Sequence, residues 1–325
     1  MDITFATGTR YTRSGTRWIN RAIGAAGLAG GGILSGILAT ALYVAHRITR
    51  PTPTTPFDSF TFTPFEFGIP YDAVALPGGD GVKLPGWWMY RADSSRVVII
   101  CIGYRGRRAD MLGIGAALWR DGNNVLIFDY RGHGELAGTP VTLGYREVQD
   151  LLSAVAWAKS QVPDASIGVL GYSMGGSVAI MGAARSQDIR AVVADSPFAS
   201  QREVVGLTVR RVLRVPHGPL LNVVDLLLGH IGGYHFKDVE PLREVPLIAP
   251  RPLLLIHGDA DSVTDPRDSQ ALYDAAGEPK DLWLVPDVEH CGVYFADRSY
   301  YCERVTGFFR RALAEQALPA AHAAR

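Results

Sequence analysis

From Val97 onward, short uninterrupted apolar runs alternate with longer stretches whose apolar residues recur at helical spacing. The runs are Val97–Ile102, Val125–Phe128, Ile167–Leu170, Ala191–Ala194, Leu253–Ile256 and Leu282–Val285. Between and after them, helices are expected around Met111–Arg120, Tyr145–Lys159, Gly176–Met181, Asp268–Ala276 and Val305–Leu313. Strands that are apolar on both faces and alternate with helices predict a parallel sheet covered on both sides. Upstream, Tyr71–Ala75 and Lys83–Tyr90 read as two edge strands joined by the Gly-Gly-Asp-Gly turn at 78–81. Trp87 and Trp88 on the second strand read as strand packing. The expected architecture is α/β, with a mostly parallel eight-stranded sheet. Some fifty residues after Asp195 interrupt the alternation, and Val204–Val215 and Leu220–Leu228 within them read as helices apolar on one side.

The first part of the chain is patterned differently. Ala22–Ala45 is 24 residues without a charge, about 36 Å as a helix against a hydrocarbon core of roughly 30 Å. Arg10, Arg13, Arg17 and Arg21 precede it with a single acid, Asp2, while Arg47 and Arg50 follow. A single-pass anchor over 22–45 is therefore expected, with the N-terminus cytoplasmic and the rest outside. A cleaved signal peptide ending near Ala39-Thr40-Ala41 is the competing reading, disfavoured by its long basic leader and long apolar run. The chain then divides into a basic segment (1–21), the anchor, a linker (46–56) made stiff by Pro51, Pro53 and Pro56, a globular domain (57–316) and a tail (317–325).

Composition narrows the function. Lys+Arg and Asp+Glu are equal at 32 each, so no overall field recruits nucleic acid. Cys101, Cys291 and Cys302 have no metal-ligand spacing, and the histidines show no His-x-x-x-His, so no metal or cofactor is expected. Cys101 lies in an apolar run and reads as a buried, inert thiol, whereas Cys291 and Cys302 could pair only in an oxidising compartment.

The chemistry centres on Gly171-Tyr172-Ser173-Met174-Gly175, set between an apolar strand and a helix rich in small residues. This is the pattern of a nucleophile elbow, a turn so tight that both glycines are sterically required. The plain alternative is a serine capping an ordinary strand-to-helix turn. A serine hydroxyl needs a base that is itself oriented by an acid, and in elbow sites the chain order is serine, acid, histidine. His290, on the loop after the last strand, is the candidate base; His257 is the runner-up, but at its strand end it reads better as structural. Asp259, Asp261 and Asp195 all follow strand ends, and spacing alone does not choose among them. Backbone N–H donors for an oxyanion are expected from Met174, after the nucleophile, and from Tyr104 in the Gly103-Tyr104-Arg105-Gly106 loop.

Together, Phe128-Asp129-Tyr130-Arg131-Gly132-His133-Gly134, the elbow, Asp195-Ser196-Pro197-Phe198, His257-Gly258-Asp259-Ala260-Asp261-Ser262-Val263 and the His290 loop resemble the α/β-hydrolase superfamily. In pattern they are nearest to its membrane-anchored group typified by ABHD13 and BEM46, with bacterial relatives. The resemblance implies that the acid is Asp261, four residues after the histidine of His257-Gly258. It also implies an oxyanion loop opening His-Gly, where this chain has Ile102-Gly103 with the backbone donor kept. His133 is a family landmark read as structural. The insertion over about 200–247 resembles the cap of such enzymes, and its leucines and valines suit an acyl or other apolar group. Arg202, Arg210, Arg211 and Arg214 read as a solvated face, and Arg105, Arg107 and Arg108 flank the oxyanion loop. The expected activity is hydrolysis of a small-molecule carboxylic ester through an acyl-enzyme at Ser173. Thioesterase, lipase, peptidase or acyltransferase activity would use the same residues, and a non-catalytic membrane-tethered binding protein is the alternative of another class.

Overall fold

The computed structural model describes residues 35–49, 61–213 and 218–314. Eight strands form one sheet: β1 (Asp72–Pro77), β2 (Lys83–Met89), β3 (Arg96–Cys101), β4 (Asn124–Phe128), β5 (Ser166–Tyr172), β6 (Ile189–Asp195), β7 (Leu253–Gly258) and β8 (Lys280–Val285). Their order is β1-β2-β4-β3-β5-β6-β7-β8. β1 pairs antiparallel with β2, and β2 antiparallel with β4; every pairing from β4 onward is parallel. This corrects one expectation. β2 is not an edge strand, because its second side pairs with β4 and leaves β1 and β8 at the rims. Its tryptophans are accordingly buried: Trp88 meets Trp157 edge-on, and the Arg108 guanidinium lies over Trp87.

All residues of β4 and β5 are buried, as expected of strands covered on both faces. One face carries α3 (Tyr145–Gln161), α4 (Met174–Arg185) and α8 (Pro266–Ala275); the other carries α2 (Leu112–Arg120) and α10 (Arg298–Ala314). Between β6 and β7 lie α5 (Gln201–Leu213), α6 (Gly218–Leu227) and the short α7 (Pro241–Glu244). The parallel strands point their carboxyl ends one way, so the loops after β3, β5, β6, β7 and β8 converge on that edge.

Residues 35–49 form helix α1. Of the uncharged run at 22–45, residues 22–34 lie outside the described residues, as does the linker from 50 to 56. Within the described part, Ala41, Val44 and Ala45 are buried, and Ile37 packs on the same core. Those positions face the protein core. Among the described residues, no helix is long and apolar enough to cross a membrane.

Candidate active site

The turn after β5 is built by close backbone contacts. A Cβ on Gly171 would lie 2.1 Å from the Gly175 carbonyl oxygen, and one on Gly175 would lie 2.3 Å from that of Cys101. Between them Ser173 takes φ 53° and ψ −120°, an unfavourable conformation for a residue with a side chain. Its N–H donates to the Asp195 carbonyl at 2.8 Å, and its own carbonyl accepts from Gly176 N–H at 2.9 Å. Neighbouring strand and helix thus hold the strain, with Ser173 at the electropositive start of α4.

Ser173 Oγ is 2.9 Å from His290 Nε2, and His290 Nδ1 is 2.6 Å from Asp261 Oδ2. With its proton on Nδ1, the imidazole donates to the carboxylate and accepts from the serine hydroxyl. Asp261 Oδ1 accepts from the N–H groups of Val263 and Thr264 at 2.7 and 2.9 Å, and Oδ2 also accepts from Thr264 Oγ1 at 2.9 Å. Burial pushes the Asp261 carboxyl up, but hydrogen bonds to His257 and His290, the His290 charge and the loop N–H of Val263 together hold it far below the usual carboxylate range.

The other two aspartates are engaged elsewhere. Asp259 Oδ1 accepts from Asp287 N–H at 2.7 Å and braces the β8 loop. Asp195 is fully buried and accepts from Tyr301 Oη at 2.9 Å and Ser196 Oγ at 3.0 Å. Burial pushes its carboxyl up to about 6, against the pull of those hydroxyls. His257 is the contact that the sequence did not reveal. It is fully buried, with Nε2 3.1 Å from Asp261 Oδ2 and Nδ1 2.6 Å from Ser269 Oγ, so the acid faces two imidazoles. Its strand-end position four residues before Asp261 was the available signal.

Tyr104 and Met174 line the same cavity as Ser173, of about 460 Å³. The Tyr104 loop is shaped by groups on the turn after β4. Arg105, at φ +64°, donates its N–H to His133 Nε2 at 2.9 Å, and His133 Nδ1 lies 2.8 Å from the Arg131 carbonyl that it donates to. Arg108 N–H donates to Asp129 Oδ1 at 3.1 Å, and its guanidinium pairs with the same carboxylate at 3.3 Å. Away from the loop most of the wall is apolar, with Phe198, Leu143 and Val204, Val205 and Val209 of α5, and its polar members are Arg47, Thr208 and Thr264.

Comparison with known proteins finds hydrolases of related sequence and shape. The family described as serine aminopeptidase S33 matches residues 92–228, which include the elbow but stop short of β7 and β8. The uncharacterized protein YqkD of Bacillus subtilis is 29% identical over 293 residues, spanning 86% of this chain and 95% of its own length. The uncharacterized protein YfhR of Escherichia coli K12 is 32% identical over 254 residues, spanning 75% and 82%. Among solved structures, the Pyrococcus furiosus esterase Pf2001 superposes with a TM-score of 0.67 at 28% identity, covering 81% of this chain and 100% of that one. With these similarities added to the eight-stranded sheet and its elbow, the chain belongs to the α/β-hydrolase superfamily.

Proposed function

We propose that the chain is a serine esterase, cleaving a carboxylic ester through an acyl-enzyme on Ser173. The observation that carries this reading is the unbroken line from Asp261 through His290 to Ser173, ending in an apolar cavity. Ser173 Oγ attacks the ester carbonyl carbon as its proton passes to His290 Nε2. The carbonyl oxygen becomes an oxyanion facing the N–H groups of Met174 and Tyr104. As the intermediate collapses, His290 returns the proton to the leaving alkoxide, which departs as the alcohol. Water then attacks the acyl-enzyme, giving its proton to His290, and the carboxylic acid leaves as Ser173 is reprotonated. Asp261, held ionised, stabilises the imidazolium at each transfer without taking the proton.

The family description raises aminopeptidase action as a second reading. The cavity lining argues against it: among the described residues it offers Arg47 and Arg105 and no carboxylate, whereas a free N-terminal ammonium needs a negative partner. Ester turnover should therefore exceed turnover of the matching aminoacyl anilides. Ser173→Ala is expected to lower kcat on p-nitrophenyl esters by ~10⁴-fold or more and to abolish labelling by a fluorophosphonate. A variant as active as the parent would sink the assignment, and a parent serine that resists the label would instead favour a binding role.

A further inference from the structure

We propose that α1, which precedes the domain recognisable from sequence, forms one wall of the substrate site and selects esters with an extended apolar acyl chain. The proposal rests on the esterase reading only for the bond that is cleaved. Ile37, Ala41, Val44 and Ile48 follow one another at intervals of four, three and four residues and make a single helical face against the core. Near its C-terminal end that face opens into the Ser173 cavity, where Tyr43, Val44 and Ile48 stand among the lining residues with Val205 and Val209 of α5. A chain esterified to Ser173 would lie between two helices, one from the interruption after β6 and one from residues 35–49.

Two hydrogen bonds fix α1 in this position. The last carbonyls of a helix have no partner within it. Here the Arg47 carbonyl accepts from Tyr104 Oη at 2.7 Å, and the Thr49 carbonyl accepts from Val141 N–H at 3.0 Å. The first bond ties α1 to Tyr104, which lines the Ser173 cavity beside Met174, so this wall and the loop after β3 are set as one unit. The opposite flank of α1 borders a second cavity of about 820 Å³, lined by Leu42, Ala45 and His46 with Leu228 and Tyr234. The helix is thus a partition between two spaces, held at its end.

The test uses the full chain and two alkyl fluorophosphonates, ethyl and octyl, with the ratio of their labelling rates at Ser173 as the readout. Val44→Trp fills the cavity from a buried position. Ile48→Trp does so from a half-buried one and serves where the first variant does not fold. Each is expected to lower the octyl-to-ethyl ratio about tenfold, the loss when two methylenes leave an apolar wall. Leu38→Trp, on an exposed position of the same helix, should leave the ratio unchanged. A ratio within twofold of the parent in both cavity variants overturns the proposal, as does an equal drop in Leu38→Trp. A shifted ratio in a protein that hydrolyses no ester would retain the wall and discard the esterase reading. An unlabelled Ser173 in the parent would discard both.

Discussion

Asp261 and Asp195 are two buried carboxylates at neighbouring strand ends with opposite electrostatics. Asp261 receives loop N–H groups, Thr264 and two histidines, and stays ionised; Asp195 receives only two hydroxyls and is pushed up to about 6. Only the first touches His290. Asp261→Asn is expected to lower kcat by roughly 10³–10⁴-fold, since an amide can neither hold the imidazole tautomer nor stabilise the imidazolium. Asp195→Asn should change kcat less than tenfold. Steady-state kinetics of the two variants on one ester checks the pair, and the reverse ranking would move the acid to Asp195. Spacing left three aspartates open because all three follow strand ends. What separates them is hydrogen bonding across loops, as in the Asp259 carboxylate turned to Asp287 N–H. His257 escaped sequence reading for the same reason, since its contact with Asp261 depends on how the loop after β7 folds back.

At the level of elements, the elbow was legible because its constraint is local: two glycines, a strand before and a helix after. The shape of the loop after β3 was not, because it is imposed by the turn after β4. His133 and Asp129 accept the N–H groups of Arg105 and Arg108, and so hold a loop that begins Ile102-Gly103 instead of His-Gly. His133→Phe keeps an aromatic ring but removes the acceptor. It is expected to lower kcat by ~10–100-fold with little change in KM, as for an interaction felt in the transition state, and to leave the pH profile of kcat in place. An unchanged kcat would free the loop from this brace. The strands were legible as apolar runs, yet the order of β2, β4 and β3 was not. An apolar run records that a strand is buried, without recording its neighbours.

Two carboxylates with raised pKa values give folding of the whole molecule a pH dependence. Burial pushes Asp195 and Asp268 each up to about 6. A folded-state pKa above the unfolded value of ~3.9 means that the native state binds the extra proton between those values. These two groups therefore contribute stability that is complete below pH ~4 and is lost as pH rises through about 6, whereas the depressed Asp261 contributes in the opposite sense, above the unfolded value. Relative to Asp195→Asn, the parent should lose on the order of 2 kcal/mol between pH 4 and pH 7 and nothing further above it. Urea melts across that range test this, and a parent that gains on the variant as pH rises would contradict the assignment.

The three residues in line are not equally protected. Ser173 follows β5, which is buried throughout between β3 and β6. His290 follows β8, a rim strand with one neighbour and no fully buried residue. Segments with few buried contacts open at lower free energy than the core. Warming would therefore release the rim first, leaving a formed elbow with a serine that has no base. The enzyme would be disarmed while most of its sheet is still folded, and cooling from that state would restore it without a search for the fold.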